Sequence, residues 1–287
     1  MLTVLAPAKV NLTLEVLAER RDGFHEIRSI AQTIDLCDRL QFQAGDRVEF
    51  RCADPKWLAA ESLVSKAAGL LRERTGCSRG VVVTLDKRIP LVSGLGGDSS
   101  DAAAVLRGLN RLWGLDLAQE ELLRLANRLG SDTPFFLHGG TALLTGRGEV
   151  IRPLPPPRQM WLVLMLPPVA RTPGKTGRLY ASIRNEHHTS GEATERMADR
   201  LTKGGEVAIA TVFNVFDQVA PDCFEGLSTY WERFVASGAP EVHLAGSGPA
   251  LFTLIRDKAQ AERIYQSLRQ QKLEAYLART LAAVDYM

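Results

Sequence analysis

The period of the hydrophobic positions changes several times along the chain, and each change predicts a new element. From Leu2 to Val16 apolar and polar residues alternate, which predicts a half-buried strand with Lys9 and Asn11 on its polar face. Short β-like runs follow, so an antiparallel sheet is the simplest interpretation. Residues 59–75 repeat at helical spacing, with Gly76 as the expected residue just past the helix end, before a strand GVVVTLDK.

Two further helical patterns follow a glycine-rich stretch at residues 90–103. The first begins near Ser99, carries apolar residues at steps of three and four, and ends at Gly114. The second follows a pair that resembles a helix cap, Asp116 with Gln119, and leads into the sequence SDTPFF. The first half of the chain therefore combines strands with helices.

The proline-rich sequence RPLPPPR at residues 152–158 can be neither regular helix nor central strand. We therefore predict a domain boundary there, between residues 1–153 and 154–287. The second half opens with an apolar strand, MWLVLMLPP, and EVHLAGSGPALFTLI predicts strand, glycine turn and strand. A helix and a final strand, LEAYLARTL, follow, whereas the middle of this half is polar and poorly patterned around RNEHHTSGEATER.

Composition narrows the choice of function. The chain has 287 residues, of which 45% are hydrophobic, so it can bury a substantial core. Its net charge of +2 favours a small-molecule partner over nucleic acid. The four cysteines are widely spaced and form no zinc or redox motif, so we assign no metal ligands. Because no leader-like or membrane-spanning apolar run is present, we expect a cytoplasmic protein.

The sequence PLVSGLGGDSSDAA has the parts of an anion site. Glycines let a backbone approach a ligand closely, and a helix start offers free N–H groups, beside the hydroxyls of Ser99 and Ser100. A serine N-cap within an ordinary loop explains the same residues. The loop lacks the last glycine of the dinucleotide fingerprint. At residues 174–176 the sequence GKT resembles the end of a P-loop, but Val169 replaces the required glycine, which excludes that site.

Several polar residues could serve either structure or chemistry. Asp132 precedes Thr-Pro and is either a helix N-cap or a general base. Lys9 is either solvated or, with its neighbour Asn11, part of a polar site. His25 can be an ordinary satisfied histidine, while Phe24 beside it offers a flat apolar face that could stack on a base.

Five motifs in fixed order identify a family. They are PAKVNLTLEV, DGFHEIRS, PLVSGLGGDSSDAA, LGSDTPFFLHGGTALLTGRGE and HLAGSGPALF, and with them residues 6–254 resemble the GHMP kinase superfamily. The resemblance implies a two-domain α+β fold, with an N-terminal domain of the ribosomal protein S5 domain 2-like type and a C-terminal ferredoxin-like α/β sandwich. It also implies an ATP site mainly in the first domain and a substrate cleft between the domains.

The resemblance further implies an activity, namely transfer of the ATP γ-phosphate, with Mg²⁺, to the 2-hydroxyl of a cytidine diphosphate-linked methylerythritol in non-mevalonate isoprenoid biosynthesis. Asp132 matches the position that accepts the hydroxyl proton, and Lys9 the position that orients the hydroxyl. The matching substrate positions are Asn11, Phe24, His25 and Thr176. The matching nucleotide positions are Pro90, Val92, Gly94, Leu95, Gly96, Gly97, Asp98, Ser99 and Ser100.

The chain departs from the family pattern near the phosphates. Asp98 and Asp101 stand where glycine and asparagine are common, and carboxylates repel a polyphosphate unless a metal ion or a lysine intervenes. We predict that both face Mg²⁺ or solvent. Ser62 stands where an asparagine commonly contacts adenine, so that contact is not transferred to this chain.

Two alternatives stay open at this point. One is another GHMP small-molecule kinase, acting on mevalonate, homoserine or a sugar, against which the motif DGFHE argues. The other is a non-catalytic nucleic-acid-binding protein, which the near-neutral charge and the lack of a basic, aromatic-interleaved stripe disfavour. We expect a monomer or a weak homodimer, with no nucleic-acid or membrane partner.

Overall fold

A computed structural model describes residues 1–171 and 174–283 of the chain. Pro173 of the GKT-containing segment and the last four residues of the predicted second domain lie outside the described residues. The described ranges contain two β-sheets and helices of both halves, as expected for an α+β fold. Within these ranges no helix has the length and the apolar character that crossing a membrane requires.

The strands divide into two sheets. The first sheet contains β1 (Leu2–Glu19), β2 (His25–Gly45), β3 (Val48–Cys52), β4 (Gly80–Asp86), β5 (Thr141–Thr145) and β6 (Val150–Leu154). The second contains β7 (Trp161–Leu166), β9 (His243–Leu244), β10 (Leu251–Ile255) and β11 (Glu274–Arg279), while β8 (Phe213–Asn214) returns to the first sheet beside β1. The second half of the chain therefore completes the sheet of the first half.

The helices cover both sheets. They are α1 (Leu63–Thr75), α2 (Gly97–Leu112), α3 (Gln119–Leu129), α4 (Thr133–His138), α5 (Lys175–Ser182), α6 (Glu192–Thr202), α7 (Ala220–Cys223), α8 (Leu227–Ala236) and α9 (Lys258–Gln270). Short 3₁₀ turns lie at Asn185–His187, Ile209–Thr211 and Val215–Gln218. Buried apolar residues of α1 to α4 pack against the first sheet in one core cluster.

The sheet topology matches the prediction in its main features. In the first sheet the path is β3-β4-β2-β1-β8, with β5 and β6 branching from β2. Its strand pairs are antiparallel except β3 with β4 and β1 with β8, which are parallel. The prediction of an antiparallel sheet was therefore wrong for these two pairs. The second sheet has the antiparallel order β11-β7-β10-β9, which is the strand order of the ferredoxin-like sandwich that the resemblance implies.

The alternation of β1 correctly predicts a strand but misplaces its polar face. Lys9, Asn11, Thr13 and Glu15 are all buried, as are the apolar residues between them. The polar face is buried because helices cover it: the backbone N–H of Thr194, in α6, donates to the Glu15 carboxylate at 2.7 Å. The strand is therefore buried on both faces, and Lys9 and Asn11 line cavities inside the molecule.

Helix ends follow the sequence only in part. Gly76 has φ +67° and its N–H donates to the Arg72 carbonyl at 2.8 Å, which confirms the predicted end of α1. The prediction that Asp116 and Gln119 form a capping pair was wrong, because Ala118 is the N-cap of α3 and no side chain caps this helix. The 152–158 segment begins within β6, which pairs only with β5 among the described strands; the domain boundary placed there stays a prediction.

Candidate functional site

Two cavities meet where the first sheet, the start of α2 and the β9–β10 turn come together. Their volumes are about 370 Å³ and about 660 Å³. Five residues line both, and we call them the junction: Lys9, Ser99, Asp132, Thr176 and Ser247. The junction is built by both halves of the chain, and it includes both residues predicted to be catalytic.

The first cavity is closed on one side by the start of α2. This helix begins at Gly97, two residues earlier than predicted, and its N-cap is Gly96 in the left-handed region (φ +76°) with no side-chain cap. The serines therefore do not cap the helix. The first N–H groups of a helix lack partners within it, and Gly97, Asp98 and Ser99 line the cavity. The helix start thus has the polarity that an anion requires.

Glycines allow the two halves of the chain to approach closely beside this cavity. Gly94 has φ +90°, and a Cβ added there would lie 2.0 Å from the Ala245 carbonyl oxygen. Gly246 has φ +54°, and its added Cβ would lie 2.8 Å from the Gly94 oxygen. The glycines of the sequence HLAGSGPALF therefore serve a close backbone packing against the glycine loop. That packing positions Ser247 in the junction.

Lys9 and Asp132 form an ion pair at the junction. The Lys9 Nζ lies 3.5 Å from the Asp132 Oδ2 and donates to the Asn11 Oδ1 at 2.8 Å. The Asn11 amide in turn donates to the Ser29 hydroxyl at 2.7 Å. Lys9 is thus held in place and is not solvated, with a side chain only 6% exposed, whereas the Asp132 side chain is 40% exposed.

Asp132 occupies the N-cap position of α4, but its side chain makes no capping hydrogen bond. The residue is thus at the predicted cap position without capping the helix, and its carboxylate lines both cavities; its role as a general base stays a prediction. A half-exposed carboxylate beside an ammonium group can accept a proton from a hydroxyl that enters the junction.

The second cavity brings together the four predicted substrate residues, Asn11, Phe24, His25 and Thr176. The His25 ring stacks on Tyr180 at 4.8 Å between centroids, and the Arg147 guanidinium lies 4.7 Å from the Phe24 ring centroid. Burial lowers the pKa of His25, which favours the neutral form of the imidazole. The cavity therefore offers aromatic faces together with neutral hydrogen-bonding groups.

The predicted nucleotide loop is mostly, but not entirely, in contact with the first cavity. Leu95 and Ser100 are buried and do not line it; the Leu95 carbonyl instead accepts the Lys9 backbone N–H at 2.9 Å. The predicted nucleotide residues that line the cavity are Pro90, Val92, Gly94, Gly96, Gly97, Asp98 and Ser99.

The prediction that Asp101 faces Mg²⁺ or solvent was wrong. Asp101 is fully buried, and its Oδ2 accepts from the Lys87 Nζ at 2.6 Å. Lys87 also pairs with the buried Asp38, and burial raises the pKa of Asp101. A lysine therefore stands beside the carboxylate, which is the condition under which a nearby polyphosphate is not repelled.

Asp98 is exposed at the rim of the first cavity, but it also has partners. Its carboxylate accepts from the Ser62 hydroxyl and from the Leu63 N–H at 3.1 Å, at the start of α1. The negative charge thus lies at the positive end of a helix. Ser62 caps α1 and lines the first cavity.

Sequence reasoning missed several residues that line the cavities. Tyr180 lies four residues after Thr176 on α5 and so on the same helical face, a signal that needs the helix to be recognised first. Lys175 belongs to the GKT sequence that was excluded as a P-loop. Arg147 and Ser247 lie in glycine turns that carry no period. The part of the chain that the structure describes contains no group of three or more His, Cys, Asp or Glu that could hold a metal ion.

Comparisons with known proteins match both halves of the chain. The GHMP kinases N terminal domain matches residues 62–140, and the GHMP kinases C terminal domain matches residues 192–274. A 4-diphosphocytidyl-2-C-methyl-D-erythritol kinase of Dehalococcoides mccartyi is 50% identical over 285 residues, 99% of this chain and 100% of the relative. The protein of the same name from Brevibacillus brevis is 37% identical, covering 99% and 98% of the two chains.

Solved structures agree with this result. The crystal structure of a 4-(cytidine 5'-diphospho)-2C-methyl-D-erythritol kinase has a TM-score of 0.79 and 33% identity, covering 97% of this chain and 99% of the other. The L. major mevalonate kinase in complex with R-mevalonate has a TM-score of 0.71, with 98% and 96% covered. Its identity is 16%, so that likeness concerns the fold alone.

Proposed function

Because this chain belongs to the 4-diphosphocytidyl-2-C-methyl-D-erythritol kinases of the GHMP family, we propose that it transfers the γ-phosphoryl group of ATP to the 2-hydroxyl of 4-diphosphocytidyl-2-C-methyl-D-erythritol. The membership confirms the superfamily and the two-domain fold expected from the sequence motifs. The observation that carries the proposal is the junction, where a helix start suited to anions, a lysine–aspartate pair and an aromatic-lined cavity meet.

In this proposal the nucleotide occupies the first cavity. Its phosphates lie against the N–H groups at the start of α2, where the helix dipole favours negative charge. Mg²⁺, when bound, neutralises phosphate charge. The described residues fit an ion that arrives on the nucleotide, because Mg²⁺ takes most of its ligands from phosphates and water. Ser99, at the start of α2, would hold it on the protein side.

The acceptor hydroxyl enters the junction from the second cavity. Asp132 accepts its proton as the hydroxyl oxygen forms a bond to the γ-phosphorus; the bond from that phosphorus to the bridging β–γ oxygen breaks, and ADP leaves. Lys9, fixed by Asn11, orients the hydroxyl and offsets the negative charge of the reacting groups. Little else is needed, since phosphoryl transfer depends mainly on positioning and charge stabilisation.

The cytidylyl group of the substrate occupies the second cavity. Phe24 is 49% exposed and can stack on a pyrimidine. The neutral His25 ring has one nitrogen that donates and one that accepts, and the Thr176 hydroxyl can do either. An aromatic wall of this kind suits a nucleobase better than the small aliphatic acceptors of other GHMP kinases.

A panel of hydroxyl acceptors tests the proposal. With saturating MgATP, we expect ADP release from this chain with 4-diphosphocytidyl-2-C-methyl-D-erythritol and only background release with mevalonate, homoserine or galactose. If the chain phosphorylates one of those three compounds and not the cytidylyl substrate, it has the activity of another GHMP kinase. RNA binding at physiological salt without any turnover would instead support the non-catalytic alternative.

The variant Phe24→Ala should weaken binding in the second cavity and leave binding in the first cavity unchanged. Base–aromatic stacking contributes about 1–3 kcal/mol, so we expect the KM for the cytidylyl substrate to rise about tenfold while the KM for ATP stays unchanged. The melting temperature should not move, because Phe24 is half exposed. Val235→Ala is the matched control, since Val235 is 48% exposed on α8. An equal rise in both KM values would contradict the assignment of the second cavity to the cytidylyl group.

A further inference from the structure

The GKT sequence excluded as a P-loop has an unusual arrangement in the fold. Gly174 (φ +74°) is the N-cap of α5, and Lys175 is the first residue of that helix. Although lysine is normally solvated, Lys175 is only 7% exposed and lines the first cavity. A buried lysine requires polar partners, because an ammonium group removed from water is otherwise costly.

The partners of Lys175 all lie on the β9–β10 turn. Its Nζ donates to the Ser247 carbonyl at 3.1 Å, to the Ser247 hydroxyl at 3.0 Å and to the Gly248 carbonyl. An ammonium group has three N–H donors, so these three acceptors use all of them. Lys175 therefore has no donor left for a phosphate unless it gives up a bond to the protein.

These bonds fix two residues of the junction. Thr176 follows Lys175 directly, and its hydroxyl lies 2.8 Å from the Ser247 hydroxyl. Both residues line both cavities, and the turn that carries Ser247 packs against the glycine loop. We propose that Lys175 is a positioning residue, whose ammonium group joins α5 to the β9–β10 turn and so holds Thr176 and Ser247 in the junction. This inference rests on the proposed function.

The charge of Lys175 makes the role testable. Burial lowers its pKa to about 8; repulsion from Lys9, on β1, adds to the effect, and Asp132, at the start of α4, opposes it. A neutral amine has two N–H groups and cannot keep three donated bonds. The junction should therefore loosen as the pH rises through about 8, within a range where most other lysines keep their charge.

The experiment compares Lys175→Met and Lys175→Arg with the unaltered full chain. For the unaltered chain we expect kcat/KM for the cytidylyl substrate to fall between pH 7.5 and 9.5, because this ratio reports the ionisation of the free enzyme. Lys175→Met should lower kcat/KM about tenfold at pH 7.5 and remove most of the alkaline fall. Lys175→Arg keeps its charge at these pH values, so activity should persist to pH 9.5. Lys203→Ala, an exposed lysine after α6, is the control and should match the unaltered chain.

Two results would overturn the inference: Lys175→Met with unaltered kinetics, or the same alkaline fall in all three proteins. If Lys175→Met fails to fold, as judged by circular dichroism, the profile of Lys175→Arg decides alone. The Kd for MgATP, measured in parallel by calorimetry, separates this inference from the proposed function. If the unaltered chain does not phosphorylate the cytidylyl substrate, the function is wrong, while weaker MgATP binding by Lys175→Met would still support the positioning role.

Discussion

Asp132→Asn should lower kcat for phosphorylation of the cytidylyl substrate by about 10²–10⁴-fold, the usual contribution of a positioned general base. Asparagine keeps the size of the side chain but cannot accept the hydroxyl proton. The Kd for MgATP should change little, because the start of α2 supplies the phosphate contacts. Rapid-quench measurement of a single turnover is the most direct test, since it separates the chemical step from product release.

Lys9→Ala should reduce kcat by a similar order, because it removes the ammonium group that pairs with Asp132 at 3.5 Å. It also leaves the buried Asn11 oxygen without its partner, so its melting temperature must be measured alongside. For Asp132→Asn the matched control is Asp199→Asn, which removes a carboxylate at an exposed position on α6. Unchanged turnover in both Asp132→Asn and Lys9→Ala would remove the roles assigned to the junction.

The second large effect concerns stability. Lys87→Met should lower the free energy of unfolding by about 3–5 kcal/mol, the typical cost of removing one partner of a buried ion pair. Lys87 pairs with both Asp38 and Asp101, and all three are buried. Asp38 would retain the backbone N–H of Ile89 at 2.8 Å, whereas the Asp101 carboxylate would lose its ammonium partner. Urea unfolding at pH 7.5 measures the difference, which should be within about 0.5 kcal/mol for the exposed Lys66→Met control.

The pH dependence of the Lys87→Met variant gives an independent check. The pKa of Asp101 is already raised by burial, and removal of Lys87 raises it further. A carboxyl group with a raised pKa binds its proton more tightly in the folded state, so stability should fall as the pH rises through the window above its ordinary value of 3.8. The variant should therefore lose more stability at pH 8 than at pH 5.5. Adding Asp101→Asn should recover part of the loss, and a double variant as unstable as Lys87→Met alone would contradict this explanation.

Periodicity in the sequence predicted most elements of the fold. The strand that begins at Leu2, the helix ending at Gly76 and the strand MWLVLMLPP all form where they were expected. The helix Glu192–Thr202 was missed because its buried face includes a polar residue, Thr194, which bonds to β1. An apolar period cannot reveal a helix whose contacts are partly polar.

The candidate site likewise contains features that the sequence predicted and features that it did not reveal. Ordered motifs predicted that Lys9 and Asp132 act in one reaction, and both residues line the two cavities; the four predicted substrate residues all line the second cavity. They did not reveal that Asp101 is buried against Lys87, or that Lys175 crosses to the β9–β10 turn. The sequence does not show that these two lysines are buried, because exposed lysines occur throughout the chain and look the same in the sequence.

By itself the sequence determined the family and many of the strands and helices, and it led to the prediction of which residues take part in phosphoryl transfer. These properties depend on local backbone preference and on short motifs, both of which are contiguous in the chain. Only the tertiary structure decided which charged groups are buried and with which partners. Lys175 and Ser247 are 72 positions apart, and burial of an ammonium group is favourable only where distant packing supplies acceptors for all its donors.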